Sequence, residues 1–388
     1  MTWFRRLLVL TAWVAGGTLP VCAQREFDIA APAATTIAGL AQVVLPNAMC
    51  AAVSDAQSIL VVGHKVLNNQ HLSVYKLDTS GKVSASPFRI ALPRADSLKA
   101  FENYPLALAF HPTLPLLYVW QDIAGPDVGV PEQNPIFKEF DHLLIYAVKD
   151  GTLQLVQSHA RGPEFNYKLM NGGLGISPNA QRLFMPNLRA SVPVSGYDAS
   201  VGYFRLDAQG MPIKGNAPVV HPVMVTPMMS YPIGTGFVSG SNEAVIYGGY
   251  NGPTTWDIEN RRGQVDWYMF PGVATPCLLT GHPKLPFIYT TTLSASYIHR
   301  MEHADGYLTM LPTRVNVGGG VFQTAPVFMA RQNKLAIGGV NAIYLVKLEA
   351  DGSFSKTAEM ATLGEPTVRA VAYSEKLDRL YVAVGEAK

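Results

Sequence analysis

Hydrophobic residues recur along this chain in a two-part phrase. An apolar run is followed by a short polar turn and then by a second apolar run rich in Val, Ile, Leu, Tyr and Phe. The turns contain Asp, Asn, Gly, Pro, Ser or His, which favour β-turns, and the second runs have the composition of buried strands. The phrase occurs seven times, at Cys50–Gly63, Leu106–Val119, Gly173–Pro186, Gly236–Gly249, Cys277–Thr290, Val327–Gly339 and Val368–Val384.

A second phrase follows six of these copies. It is an alternating strand that ends in an acidic residue and usually a glycine, and a further strand such as Thr152–Ser158 comes after it. Asp-Gly and Asp-x-x-Gly predict hairpin turns, because glycine accepts a positive φ angle. The copies are Leu72–Gly81, Leu143–Gly151, Val201–Gly210, Ala295–Gly306, Ala342–Gly352 and the degenerate Thr254–Gly263.

One unit therefore comprises four antiparallel strands. Its repetition predicts an all-β chain that folds as a seven-bladed β-propeller of four-stranded antiparallel blades. The seventh copy ends after its second strand. We expect N-terminal strands near Phe27–Ala31 and Thr36–Val44 to complete that blade, which would close the ring and remove free sheet edges.

The composition narrows the possible functions. Charged residues make up only 15% of the chain, and 34 glycines and 28 prolines fit many turns and little surface helix. The formal net charge is +2, and no basic run with interleaved aromatic residues is present. The sequence therefore predicts no nucleic-acid partner.

The phrases resemble the seven-bladed lactonase and YVTN-type propeller family, which includes bacterial 6-phosphogluconolactonases. The segments Phe110–Val119, Ile176–Met185 and Tyr373–Val382 match the family pattern of an aromatic or apolar residue followed by S/H-P-x-x-x-x-L-Y-V. The resemblance extends over nearly the whole chain after the first residues. It implies the propeller fold and, as an expectation, chemistry on a sugar lactone.

The chain departs from that family at the entry to the first strands. Family members tend to carry Gly-Pro-Arg-His there, whereas only Arg369 falls in an arginine slot here, and Ala370 follows it. The channel histidine that the resemblance implies has no counterpart in this chain. The other slots hold Leu106 and Ala107, Gly172 and Gly173, and Cys277 and Leu278.

The first residues have the pattern of an export signal. Arg5 and Arg6 precede the apolar stretch Leu7–Leu19, which is too short to span a bilayer, and a cleavage site ending at Ala23 follows. We predict a signal peptide at 1–23 and a single propeller domain at 24–388, periplasmic or secreted, without a membrane span after cleavage. Two alternatives stay open: an uncleaved N-terminal anchor, and lipidation of Cys22.

Two cysteines remain after such cleavage, Cys50 and Cys277. An exported pair suggests a disulfide. However, the two begin the first strands of the first and fifth units, on well-separated blades, whereas a disulfide needs Cα atoms within about 7 Å. We therefore predict two free thiols.

Six polar residues are candidate ligand groups, because they lie in the loops and blade links that form the ligand face of a propeller, or in a channel-lining strand. Arginine offers a bidentate fork to a carboxylate, and a histidine beside a glutamate can move protons near neutral pH. The alternative for each is a structural contact. The candidates are Arg369, Arg161, Glu164, Arg189, His221 and Asp122.

Arg369 stands out among them because it interrupts an otherwise apolar first strand, where a charge needs water or a partner.

Asp122 opens an acidic loop that lacks the spacing of a calcium site, so we predict no metal. His111 and His282 recur before proline in the turn between first and second strands. The repeat alone explains that recurrence, so we predict structural roles for both.

No catalytic signature assigns a reaction. The chain has no Gly-x-Ser-x-Gly, His-Glu-x-x-His, Walker or Cys-x-x-Cys motif, so catalytic residues stay unassigned and no cofactor is predicted. The sequence favours a lactonase-like propeller that acts as a binding module for a carbohydrate, a carboxylate or a protein on its channel face. The alternative is an enzyme that hydrolyses sugar lactones with channel arginine and carboxylates.

Overall fold

A computed structural model gives the architecture of the chain. It describes residues 25–28, 37–44, 48–65, 71–93, 102–124, 141–160, 174–190, 197–213, 219–223, 234–237, 244–248, 254–257, 262–264, 277–292, 297–304, 307–317, 322–363 and 367–385. Among these residues all regular elements are strands, and no helix has the length and apolar character needed to cross a bilayer.

The first six repeat units of the sequence each form one blade of antiparallel strands, as predicted. Blades 1, 2 and 3 each have four strands in chain order. Blade 1 contains β3 (Ala48–Ser54), β4 (Ile59–His64), β5 (His71–Lys76) and β6 (Phe88–Ala91). Blade 2 contains β7 (Glu102–Phe110), β8 (Leu116–Ala124), β9 (Asp141–Lys149) and β10 (Thr152–Ala160). Blade 3 contains β11 (Gly175–Ile176), β12 (Arg182–Ala190), β13 (Tyr197–Arg205) and β14 (Val219–Val223).

Blades 4, 5 and 6 repeat the arrangement. Blade 4 contains β15 (Gly234–Phe237), β16 (Ala244–Gly248), β17 (Thr254–Asp257) and β18 (Arg262–Gln264). Blade 5 contains β19 (Cys277–Gly281), β20 (Phe287–Thr292), β21 (Tyr297–Ala304) and β22 (Tyr307–Asn316). Blade 6 contains β23 (Val327–Met329), β24 (Lys334–Gly338), β25 (Ala342–Leu348) and β26 (Phe354–Thr362).

The N-terminal and C-terminal strands meet in a seventh sheet, which we call the terminal sheet. It consists of β27 (Thr367–Ser374), β28 (Arg379–Gly385) and the N-terminal β2 (Leu40–Val44), and β2 lies parallel to β28. In a blade, the fourth strand leads into the next blade and runs parallel to the second. β2 likewise leads into the next blade, so it runs in the direction of a fourth strand. Because the terminal sheet has no third strand, β2 lies directly beside β28 and pairs with it in parallel.

Two details of the predicted closure are therefore wrong. The terminal sheet has three strands, and they are not all antiparallel. The strand expected near Phe27–Ala31 is present as β1 (Arg25–Asp28), but it joins blade 5 as a fifth strand parallel to β22. There it covers the outer edge of β22, whose backbone groups would otherwise be left unpaired on that side.

The hydrophobic core lies between blades, because each strand has apolar residues on both faces. In β4, Leu60 and Val62 pack toward the terminal sheet, whereas Ile59 and Val61 pack toward blade 2. All four side chains are essentially inaccessible to solvent. Further clusters join blade 2 to blade 3, blade 5 to blade 6 and blade 6 to the terminal sheet.

A tyrosine on the second strand connects neighbouring blades at three of these interfaces. Its hydroxyl donates to the carbonyl oxygen of the glycine in the next blade's acidic turn. The bonds are Tyr118 to Gly210 at 2.7 Å, Tyr289 to Gly352 at 2.8 Å, and Tyr381 to Gly81 at 2.9 Å. The three glycines have φ angles of 74° to 77°, so a side chain at any of them would be strained.

The ends of the blades differ in which connections they carry. The turns from first to second strand and from third to fourth strand lie at one end, which we call the turn end. The loops from second to third strand and the links between blades lie at the opposite, loop end. His111 and His282 belong to the turn end, as the order of strands in each blade requires.

Both histidines have the structural role predicted from the sequence. Nδ1 of His111 accepts hydrogen bonds from the backbone N–H groups of Thr113 and Leu114, at 3.2 and 3.0 Å. His282 binds Lys284 and Leu285 in the same way. In the terminal sheet, Ser374 accepts the backbone N–H of Leu377 at the equivalent turn. The S/H position of the sequence pattern is thus a turn cap.

Replacing Tyr381 with phenylalanine should destabilise the protein by about 1–2 kcal/mol, since the carbonyl of Gly81 loses a buried donor. Urea unfolding of the variant and the parent measures the loss. Tyr146→Phe is the matched control, because its buried hydroxyl has no hydrogen-bond partner in the described part of the chain. That control should be neutral or stabilising; equal losses in both variants would contradict the role of the interblade bond.

Acidification should destabilise the turn end. Burial lowers the pKa of His111 and of His282 below the ordinary value, so the unfolded chain binds more protons as the pH falls below about 6.5, and stability is lost there. The double variant His111→Ser, His282→Ser keeps a side-chain cap without a titrating group. Free energies of unfolding at pH 5 and pH 7.5 should differ less in this variant, and an unchanged difference would refute the assignment.

Candidate functional site

The first strands converge on a central cavity of about 210 Å³. Among the described residues, its wall contains side chains of blades 1, 2, 3, 5 and 6 and of the terminal sheet. Because Met49, Leu278 and Arg369 lie near the starts of their first strands, the cavity lies toward the loop end. Apolar side chains such as Leu108, Leu174 and Val327 form most of the wall.

Three first strands carry a β-bulge at the same position of the repeat. The register skips Met49 in β3, Leu106 in β7 and Arg369 in β27. Bulges bend a strand and re-aim a side chain, and they are common beside binding sites. All three bulge residues line the cavity. Two of them are apolar, so Arg369 is the charged member of this set.

Arg369 is solvent-exposed although its strand neighbours Val368 and Ala370 are buried. A Cβ atom on Gly385 would lie 3.2 Å from Cγ and Nε of Arg369, so the glycine leaves room for this side chain. Among the described residues, no carboxylate forms an ion pair with Arg369. The alternative structural role, a pair with a neighbouring blade's carboxylate, has no support within that part of the chain.

Gln323 and Thr324 are the cavity's neutral polar side chains, and both lie in the link that precedes β23. Thr324 is occupied structurally: its hydroxyl accepts the N–H of Gly338 at 2.9 Å and donates to the carbonyl of Ala325 at 3.1 Å. The side-chain amide of Gln323 makes no hydrogen bond to the described residues. It is therefore available to a ligand that reaches Arg369.

Cys50 also lines the cavity, but its thiol is unreactive. Burial raises its pKa to about 12, and it donates a long hydrogen bond of 3.8 Å to the carbonyl oxygen of Pro105. A thiol in that state is not a nucleophile near neutral pH. Cys50 is free, as predicted, so it forms no disulfide with Cys277, whose side chain lies outside the described residues.

Solved structures resemble this architecture. The periplasmic gluconolactonase PpgL of Pseudomonas aeruginosa matches with a TM-score of 0.56 and 15% sequence identity, over 82% of this chain and 86% of that protein. A protein from Lactobacillus plantarum matches with a TM-score of 0.52 and 11% identity, over the same shares. No protein-family model matches the sequence, and no curated protein matches it. The chain has a lactonase-like β-propeller fold.

Of the six candidate residues from the sequence, Arg369 lies in the cavity. Arg161 and Glu164 lie outside the described residues. The backbones of Asp122, Arg189 and His221 are described, and each belongs to a strand rather than to the loop or link expected: they pair with Tyr104, Asp198 and Val201. Asp122 and Arg189 lie near the ends of their strands at the loop end of the blades, which is also the end toward which the cavity lies.

The described cavity wall offers limited chemistry. It combines one guanidinium, one available amide and apolar surface, and it contains no carboxylate and no histidine within the described residues. No group of three or more His, Cys, Asp or Glu side chains in that part of the chain is arranged to hold a metal ion. Such a wall can bind an anion with an apolar body, but the described residues supply no general base.

Thiol titration should count two free cysteines, Cys50 and Cys277, in the denatured and unreduced protein 24–388. In the native protein, Cys50 should react with a disulfide reagent only as fast as the protein unfolds, because the thiol is buried and stays protonated. The variant Cys50→Ala lacks this thiol, so comparison with the parent shows which labelling rate belongs to Cys50. Zero thiols after denaturation, or rapid labelling of Cys50 in the native protein, would contradict this environment.

Proposed function

We propose that this chain is an exported, lactonase-like β-propeller that binds a small carboxylate in its central cavity. Arg369 carries the proposal, because a bulge directs a guanidinium toward a mostly apolar cavity in which no described carboxylate neutralises it. A guanidinium binds a carboxylate through two parallel hydrogen bonds, and it is dehydrated more easily than an ammonium group. Gln323 is positioned to add a hydrogen bond.

The proposal includes the ring and its location. We count the terminal sheet as the seventh blade, since it occupies one repeat of the sequence and packs against both blade 6 and blade 1. Export rests on the N-terminal pattern around Arg5, Arg6 and Leu7–Leu19, with cleavage after Ala23. The concave shape and apolar wall of the cavity favour a small molecule over a protein partner on the channel face.

A second function is lactone hydrolysis. The fold likeness to a gluconolactonase favours it, and opening a sugar lactone produces a carboxylate that Arg369 could bind. Likeness of fold alone does not transfer an activity. The reaction would also need a base for the attacking water, and Glu164 is the sequence candidate that would supply it.

Calorimetric titration of the protein with sugar acids such as gluconate tests the binding role. Arg369→Gln should weaken binding by about 10- to 100-fold, the usual effect of losing a hydrogen-bonded charge. Arg89→Gln, at an exposed position of β6 away from the cavity, is the matched control and should bind as the parent does. Absence of binding to the parent, or equal binding by Arg369→Gln, would refute the proposed site.

Acid release from a panel of sugar lactones tests the second function in the same preparations. Turnover above the spontaneous rate that is lost in Arg369→Ala and in Glu164→Ala would establish an enzyme. Binding of the sugar acid without turnover of any lactone would leave a binding protein.

A further inference from the structure

The central cavity has different chemistry at its mouth and in its depth. Arg369 lies near the start of β27, and its side chain packs over Gly385 at the loop end of β28, where a Cβ atom would lie 3.2 Å from its Cγ and Nε. Leu108 and Val371 also line the cavity, but they lie further along their first strands, toward the turn end. The described wall therefore places positive charge near the mouth and aliphatic surface below it.

The aliphatic part of this wall is only partly covered by the protein itself. Leu108, Leu174, Val327 and Val371 all line the cavity, and each keeps a partly exposed side chain. A ligand with an apolar body would remove that surface from water. Each additional methylene group that such a ligand buries tightens binding by about fourfold.

The same wall has few groups that could bind the hydroxyls of a ligand. The hydroxyl of Thr324 already donates to the carbonyl oxygen of Ala325 and accepts the N–H of Gly338. Of the described polar side chains in the wall, the Gln323 amide and the Arg369 guanidinium remain for a ligand. A sugar acid carries a hydroxyl on almost every carbon, and a hydroxyl that leaves water without a new partner weakens binding. The wall therefore favours an acid whose carbon chain carries no hydroxyls.

The volume of the cavity limits the length of that chain. An apolar cavity of about 150 Å³ accepts a molecule of the size of benzene. The central cavity, at about 210 Å³, has room for a somewhat larger body. This size fits a short alkyl chain better than the long chain of a membrane fatty acid.

We infer that the central cavity selects a short-chain aliphatic carboxylate, which rests on the proposed carboxylate site and names the class of acid that it takes. The carboxylate binds the guanidinium of Arg369, and Gln323 adds a hydrogen bond. The alkyl chain extends toward the turn end and contacts Leu108, Val327 and Val371. A sugar acid binds the same arginine but leaves most of its hydroxyls without partners in the described wall.

Calorimetric titration of the protein with acetate, butanoate, hexanoate and gluconate tests the inference. Hexanoate and gluconate have the same number of carbon atoms and one carboxylate each, so only their hydroxyls distinguish them. Affinity should rise from acetate to hexanoate by about fourfold for each methylene group. Gluconate should bind about 10-fold more weakly than hexanoate, or weaker still. The heat-capacity change of binding should become more negative as the alkyl chain lengthens, because more apolar surface is buried.

A change in the aliphatic wall gives a second reading. Val327→Thr introduces a hydroxyl at nearly constant shape, so it should weaken hexanoate binding by about threefold or more. Its binding of acetate, which does not reach the deep wall, should stay unchanged and shows that the variant is folded. Val340→Thr is the matched control, since Val340 is exposed and does not line the cavity, and this variant should bind hexanoate as the parent does.

The outcomes separate this inference from the proposed function. If no acid binds, or if Arg369→Gln binds every acid as the parent does, the carboxylate site and the inference both fail. If Arg369→Gln weakens both six-carbon acids but gluconate binds as tightly as hexanoate, the carboxylate site stands and the aliphatic selectivity is refuted. Affinity that does not change with chain length, or hexanoate binding that is unaffected by Val327→Thr, would refute it equally.

Discussion

Contacts between neighbouring sheets hold this protein together, and the tyrosine hydroxyl on a second strand is their most specific form. Tyr118, Tyr289 and Tyr381 each reach the glycine turn of the next blade. The apolar side chains beside them would tolerate a small rotation of one blade on another, whereas a hydrogen bond to one carbonyl oxygen fixes the angle. The position of the central cavity depends on that angle, since its wall is built from more than one blade.

Much of the fold could be predicted from the sequence because repetition makes local signals add up. The tyrosine of the L-Y-V pattern and the glycine of the acidic turn both appeared as sequence motifs, although their contact with each other did not. The closure was predicted less well. Whether β2 pairs in parallel depends on which strand is missing from the terminal sheet, and β1 could have joined any open edge.

The central cavity was predicted only at Arg369, whose charge is conspicuous in an apolar strand. Its bulge was not predictable, because a register shift is a relation between two strands and leaves no mark on one of them. Gln323 was missed because it lies in a link between units, where the repeat gives no guidance.

The parallel pairing of β2 with β28 joins an N-terminal strand to the C-terminal strands in one sheet, and it also sets an order of folding events. Leu40 cannot pair until Leu380 has been synthesised. The carbonyl oxygen of Gly81 cannot accept its hydrogen bond until Tyr381, 300 residues later, has been synthesised. Until then blade 1 presents an uncovered apolar face during synthesis. Closing so long a loop costs only a few kcal/mol more than closing a short one, but it delays the last step. The newly made chain is therefore exposed to aggregation through this face until its last strands have been synthesised.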